Sequence, residues 1–309
     1  MVKVQHNLHQ NYYRYSRLQE NKIRLLRVIP MQDSTSQLEC FVEYRDIPQG
    51  TENPDPGYIA LSWRPGSEQF DRYSSLRSPV PSRPRWNEDF FIMDGQDKYS
   101  LSVDPSLQLA LKQLRETEEP IFVWVEQICI NQTDEAERTS QGDLIPTIFE
   151  HADGVVVWLG EGDEDSKTAI QFIPSLLNLS LIDSLVKKES NPWKDVFVKE
   201  DSTDALVKEE STPVKWQALI NLMQRPYFAR RWVFLEVMLA KQAVLCCGED
   251  TIDWGDFADA VVILGSRYDD VKLLVRDAMS SEYVATLQFT ILDHAVLIPT
   301  YPRAVKTPA

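Results

Sequence analysis

Trp232 and Glu236 stand four positions apart, a spacing that puts both side chains on one face of a helix. An aromatic ring there can stack on a flat ligand ring. The carboxylate beside it can stabilise positive charge developing on a sugar carbon, as carboxylates do in glycoside cleavage. The plainer alternative is a core tryptophan, with Glu236 paired to Arg230, Arg231 or Lys241.

A second set of candidates gathers where apolar strands turn polar. Glu126 follows the hydrophobic run 121–125, and Asn131-Gln132 closes the same segment. In an open α/β sheet, ligands bind where strands end in this way. A carboxylate at such a place is either a ligand group or the partner of a buried cation, and Arg138 is the natural cation. Asn131 and Gln132 read either as ligand contacts or as side chains that hold the loop by bonding its backbone.

Ser62 follows the apolar residues of the run 58–63 and lies near a sharp turn. It lacks the GxSxG elbow, and no His or Asp stands at a recognisable spacing, so a polar contact is expected rather than a nucleophile. Trp63 and Arg64 either form an aromatic and cationic wall for an anionic ligand or cover the sheet edge.

The composition narrows the field. The 309 residues are 43% hydrophobic, enough for a substantial core, and carry a net charge of −15. Such a charge repels nucleic-acid backbones and anionic membrane surfaces, so neither is an expected partner. Cys40, Cys129, Cys246 and Cys247 fit no CxxC ligand pair, and adjacent cysteines make poor disulfide geometry. Reduced, buried thiols are expected. His6, His9, His151 and His294 are dispersed and suggest no zinc site. Neither a P-loop nor a dinucleotide-binding glycine fingerprint occurs. The polar N-terminus lacks the apolar core of a signal peptide, and no run approaches the ~18 apolar residues of a membrane span. A soluble cytoplasmic protein is expected.

The elements that must position these residues can be read in order. Residues 1–21 look like a loosely ordered polar arm. Strands are expected at 23–29, 38–44, 58–63, 121–125, 154–160 and 243–247. Asp104-Pro105 opens a helix with a capping acid and a proline at the first helical position, and Thr212-Pro213 caps another that reaches about Met223. Residues 134–152 have helical spacing, with a kink or a break expected at Gly142 and Pro146. Further helical regions fall at 166–186, 225–240 and about 255–264. Residues 65–100 read as an extended loop with one hairpin, and 187–213 as a solvated charged insertion. Strands alternating with helices indicate an α/β fold with a mainly parallel sheet flanked by helices.

Four segments, taken together, resemble one family. They are Tyr58-Ile-Ala-Leu-Ser62; the block 124–132 with its Cys-Ile-Asn-Gln run; Asp134, Glu137, Arg138 and Gln141 followed by Ile148-Phe149, Ala152 and 157–160; and Pro226-Tyr227-Phe228, Arg230, Trp232-Val233 and Glu236. Cys247-Gly248 and Trp254 follow. The chain is similar to the fungal heterokaryon-incompatibility (HET) domain over about 22–260, leaving 261–309 as a C-terminal helical extension and tail. It departs from the family pattern at Pro65, where a Trp is usual, at Glu126 in place of Asp, and at Leu235 in place of Gln.

HET domains are similar in turn to Toll/interleukin-receptor (TIR) domains. The resemblance therefore implies a TIR-like, flavodoxin-like core and a role in fungal self/non-self recognition or cell-death signalling. Enzymatic TIR domains hydrolyse NAD and carry a glutamate four residues after a Trp. That implies Glu236 as the catalytic residue, NAD or a related nucleotide as substrate rather than cofactor, and a homo-oligomeric partner. Two alternatives stay open. One is a catalytically inactive interaction module. The other is a HET fold recruited as a cyclase or isomerase of secondary metabolism, with a mainly apolar pocket among the aromatics near 63–90.

Overall fold

The computed structural model describes residues 12–30, 38–47, 57–64, 90–115, 118–177, 212–229 and 233–266. Trp232, Pro65, most of the charged stretch 187–213 and the tail from 267 lie outside them. The chain divides into two compact units, 1–155 and 156–309.

In the first unit, six strands are ordered β5-β4-β2-β1-β6-β3. They are β1 (Lys22–Val28), β2 (Glu39–Asp46), β3 (Ile59–Trp63), β4 (Phe91–Asp94), β5 (Asp97–Ser100) and β6 (Ile121–Trp124). Strand β1 runs antiparallel to both β2 and β6, while β2 with β4 and β3 with β6 are parallel pairs. The α/β class read from the sequence holds, with a mixed sheet. The hairpin expected within 65–100 is β4–β5, closed through Gly95 at φ 61°. Strand β1 is buried on both faces, with Ile23, Arg24, Leu25 and Leu26 at 0–1% exposure.

Helix α1 (Pro105–Leu114) starts as expected, the Asp104 carboxylate accepting from Ser106 N at 2.8 Å. It supplies the crossover that lets β3 and β6 lie parallel. The single turn α2 (Glu126–Cys129) follows β6, then α3 (Glu135–His151). Asp134 caps α3 through Glu137 N at 3.1 Å. The expected break at Gly142 and Pro146 does not occur: α3 is one helix with Pro146 inside it. Pro146 lies exposed, so the Gly142 carbonyl that loses its donor is on the side open to water. Below the sheet, Trp124 meets Phe149 of α3 edge-on at 5.6 Å.

Residues 12–21, the described part of the segment expected as a loose arm, are tied down. Tyr13 N donates to Ser100 O at 2.9 Å, and the Tyr15 hydroxyl donates to Ile128 O at 2.9 Å. Half-burial of two tyrosine rings secures what polar composition alone suggested would stay loose.

In the second unit the strand order is β7-β8-β9: β7 (Gly154–Trp158), at whose second residue the first unit ends, β8 (Ala243–Cys247) and β9 (Asp250–Asp253). Its helices are α4 (Glu164–Leu176), α5 (Pro213–Met223), α6 (Val233–Met238) and α7 (Trp254–Ser266), with a 3-10 turn at Pro226–Ala229. Helix α4 starts two residues before the position read from the sequence, because Asp163 and Ser166 form a reciprocal capping box. Thr212 caps α5 as expected. Helix α4 packs on α5 and α7, with Phe172 edge-on to Trp216 at 5.1 Å and Phe228 stacked on Phe257 at 5.4 Å. Among the described residues, no helix is long and apolar enough to cross a membrane.

Candidate functional site

The polar turn after β6 is built by its own backbone and closed by its own side chains. Val125 stays extended and its carbonyl accepts from Ile128 N at 3.1 Å and Cys129 N at 2.8 Å. Those bonds make α2. Gln132 folds back, its Nε2 donating to Glu126 O at 2.9 Å and to Ile130 O at 3.2 Å. Asn131 Oδ1 accepts from Thr133 N at 3.1 Å and Thr133 Oγ1 at 2.8 Å. Both side chains thus hold the turn by local bonds, the pattern by which Asn and Gln replace regular secondary structure. The Cys129 thiol is fully internal, accepting from Val125 N at 3.4 Å, and burial pushes it up to about 12. A thiol so far from ionisation is a packing group, not a nucleophile.

Glu126 opens α2 and is half-buried. Strand β3 runs parallel beside β6, Ile59 pairing with Val123 and Ala60 with Trp124, so both strands end toward the same edge of the sheet. Ser62 is 1% exposed and Trp63 7% exposed at the end of β3, with Arg64 half-buried beyond them. The candidates Ser62, Trp63, Arg64 and Glu126 thus stand at or just beyond the ends of these strands, Ser62 and Trp63 buried and Arg64 and Glu126 half-buried. Arg138, on α3, is half-buried in the same unit.

A buried ion pair that the sequence reading did not propose organises this turn. Arg24, in the middle of β1, donates through Nη1 to Glu137 Oε1 and through Nη2 to Glu137 Oε2 at 2.9 Å. The same guanidinium bonds Cys129 O at 3.2 Å, while Glu137 Oε1 accepts from Asn131 N at 2.7 Å. One pair therefore clamps both ends of the run 129–131. The signal in the sequence was Arg24 between Ile23 and Leu25-Leu26, a cation within the apolar middle of a strand, which needs a buried partner when both faces are covered. Gln141, another of the family positions, donates to Lys22 O at 3.1 Å and ties α3 to the start of β1.

Glu236 belongs to the second unit. It lies on α6 at 5% exposure, a carboxylate largely withdrawn from water. In the same unit Arg225, just past α5, donates through Nη1 to Leu159 O at 3.2 Å and Glu161 O at 2.8 Å, and through Nη2 to Asp163 at 2.9 Å. It fixes the loop between β7 and α4. Asn221 adds a bond to Asp165 at 2.6 Å.

Strands alternating with helices around a mixed sheet define an α/β protein. The model of the heterokaryon incompatibility protein (HET) family matches residues 58–236. That is more than half of the chain, and the chain belongs to this family. It is similar to heterokaryon incompatibility protein 6, OR allele, of Neurospora crassa, at 28% identity over 247 residues covering 73% of this chain and 33% of that protein. The chain spans about a third of the length of that curated relative. No solved structure matches.

Proposed function

We propose that this chain acts in fungal self/non-self recognition or the cell-death signalling that follows it, and that Glu236 serves in cleaving the glycosidic bond of NAD or a related nucleotide. The family and the name of its Neurospora relative support the first part. The observation that carries the second is the burial of Glu236, at 5% exposure on α6. Withdrawal from water strengthens a carboxylate's attraction for an oxocarbenium-like ribose. Nicotinamide leaves with the bonding electrons, and water takes its place on the sugar carbon.

The test is incubation of the purified chain with NAD, following release of nicotinamide. Turnover by the wild type that falls at least about a hundredfold in Glu236→Gln supports the reading. An inactive wild type, or equal turnover by Glu236→Ala, removes it.

A second reading, a catalytically inactive interaction module, is favoured by one specific observation. Asn131, Gln132 and Glu137, all within the family's most distinctive blocks, bond within the protein itself. Concentration-dependent oligomers in light scattering, with no heat of nucleotide binding by calorimetry, would favour it.

A further inference from the structure

Residues 13–19 contain no helix or strand, yet they lie fixed across the first unit. Their side chains alternate: Tyr13 and Tyr15 are half-buried, whereas Tyr12, Arg14 and Ser16 are exposed. At one end, Tyr12 forms an isolated parallel bridge with Ser100 on β5. Farther along, the rings of Tyr13 and Tyr15 meet edge-on at 5.0 Å, and the segment then reaches the polar turn. Tyr15 donates to Ile128 O, and the Arg24 guanidinium, 5.0 Å from the Tyr15 ring centre, donates to Ser16 O at 2.7 Å.

Two features make this more than edge packing. Helix α2 is a single turn, so its later carbonyls have no helical donors and must find them elsewhere; Tyr15 serves the one on Ile128. The guanidinium that holds Ser16 is also the group that holds Cys129 O and Glu137. The strap and the turn thus share one cation. Beyond the strap, Asn21 adopts φ 57°, a conformation Asn tolerates better than most residues. Its carbonyl is pinned by Ile47 N at 2.8 Å. This leaves a defined pivot between strap and β1.

We propose that the strap formed by residues 12–19 is a latch on the turn 126–132. Docked, it holds rigid the segment that carries Glu126; released, it loosens that segment while the sheet and α3 stay folded. Segments outside helices and strands open locally at lower free energy than the core elements they pack on, and residues 13–19 form neither. The proposal does not depend on nucleotide cleavage, since Glu236 takes no part in it.

Hydrogen exchange measured by mass spectrometry on the full chain tests it. Tyr15→Phe keeps the ring and removes only the hydroxyl. The peptide covering 126–134 should then exchange roughly fivefold faster or more, the factor expected for one lost hydrogen bond. Residues 143–151 of α3 should keep the wild-type rate, and Arg14→Ala should change neither. Wild-type exchange at 126–134 in Tyr15→Phe overturns the latch, as does equal acceleration at 143–151. Tyr15→Ala should enlarge the effect; if it fails to fold, Tyr15→Phe decides.

Discussion

Arg24 and Glu137, 113 positions apart in the chain, meet as a two-pronged ion pair with side chains 0% and 8% exposed. Burial works against the charged guanidinium, but hydrogen bonds with Glu137 and Tyr44 outweigh it and raise its pKa above arginine's ordinary value. The guanidinium therefore stays charged, and what the pair holds is the turn 129–131.

Breaking one side of this pair strands a buried charge. Arg24→Met and Glu137→Gln should each lose roughly 3–5 kcal/mol of unfolding free energy in urea titrations. The double variant Arg24→Met/Glu137→Gln should lose less than the sum, because no unpaired charge remains. Single variants of wild-type stability would contradict the assignment.

Two glycines with positive φ should respond differently to a methyl group. Gly95, at φ 61°, has nothing within 4 Å of where a β-carbon would sit, so Gly95→Ala should cost only the backbone strain, about 1–2 kcal/mol. At Gly248, φ 57°, the β-carbon would sit 2.6 Å from Gly162 N and 2.8 Å from its Cα. Gly248→Ala should lose a further 1–3 kcal/mol or so by overpacking. Thermal unfolding of the two variants side by side checks the difference.

Asp163 gives a pH dependence of defined sign. Its hydrogen bond from the Ser166 backbone, and then the Arg225 charge, hold its carboxyl below the ordinary carboxylate value. A depressed folded-state pKa contributes stability above the unfolded value and loses it as pH falls through the folded one. The wild type should therefore lose stability below roughly pH 4. Asp163→Asn should flatten that limb of the curve in denaturant melts from pH 3 to 6, modestly, since the side chain is largely exposed.

The thiols should be silent in the native protein. Burial pushes Cys129 up to about 12 and Cys246 up to about 11, and raises Cys40 and Cys247 as well. Iodoacetamide at pH 8 should leave the folded chain unmodified by intact mass, and should add four labels after unfolding in urea. A label acquired by the folded protein would show that one of these sites opens to solvent.

Much of the fold was legible because local chemistry encodes it. Asp104 and Thr212 cap α1 and α5 where their types and neighbours indicated. The strand at 243–247 matches β8 residue for residue. Context also sets what a local rule leaves open. A kink or a break was expected at Pro146, which lies on an exposed face, and α3 continues through it as one helix. Of the polar segment 1–21 read as a loose arm, residues 12–21 are described, and they bond to Ser100, Ile128 and Arg24.

The candidate site divides in the same way. Periodicity and residue type alone picked out Ser62, Trp63, Arg64 and Glu126 at strand ends, and family blocks identified the HET domain. The Asn131-Gln132 pair bonds within its own turn, whereas the identity of the cation that organises the turn was decided by tertiary structure. The reason is physical: caps and periods act over a few neighbouring residues and are written into spacing. The partner of a buried charge depends instead on which strands and helices are brought side by side, and nothing near Arg24 in the chain points to Glu137.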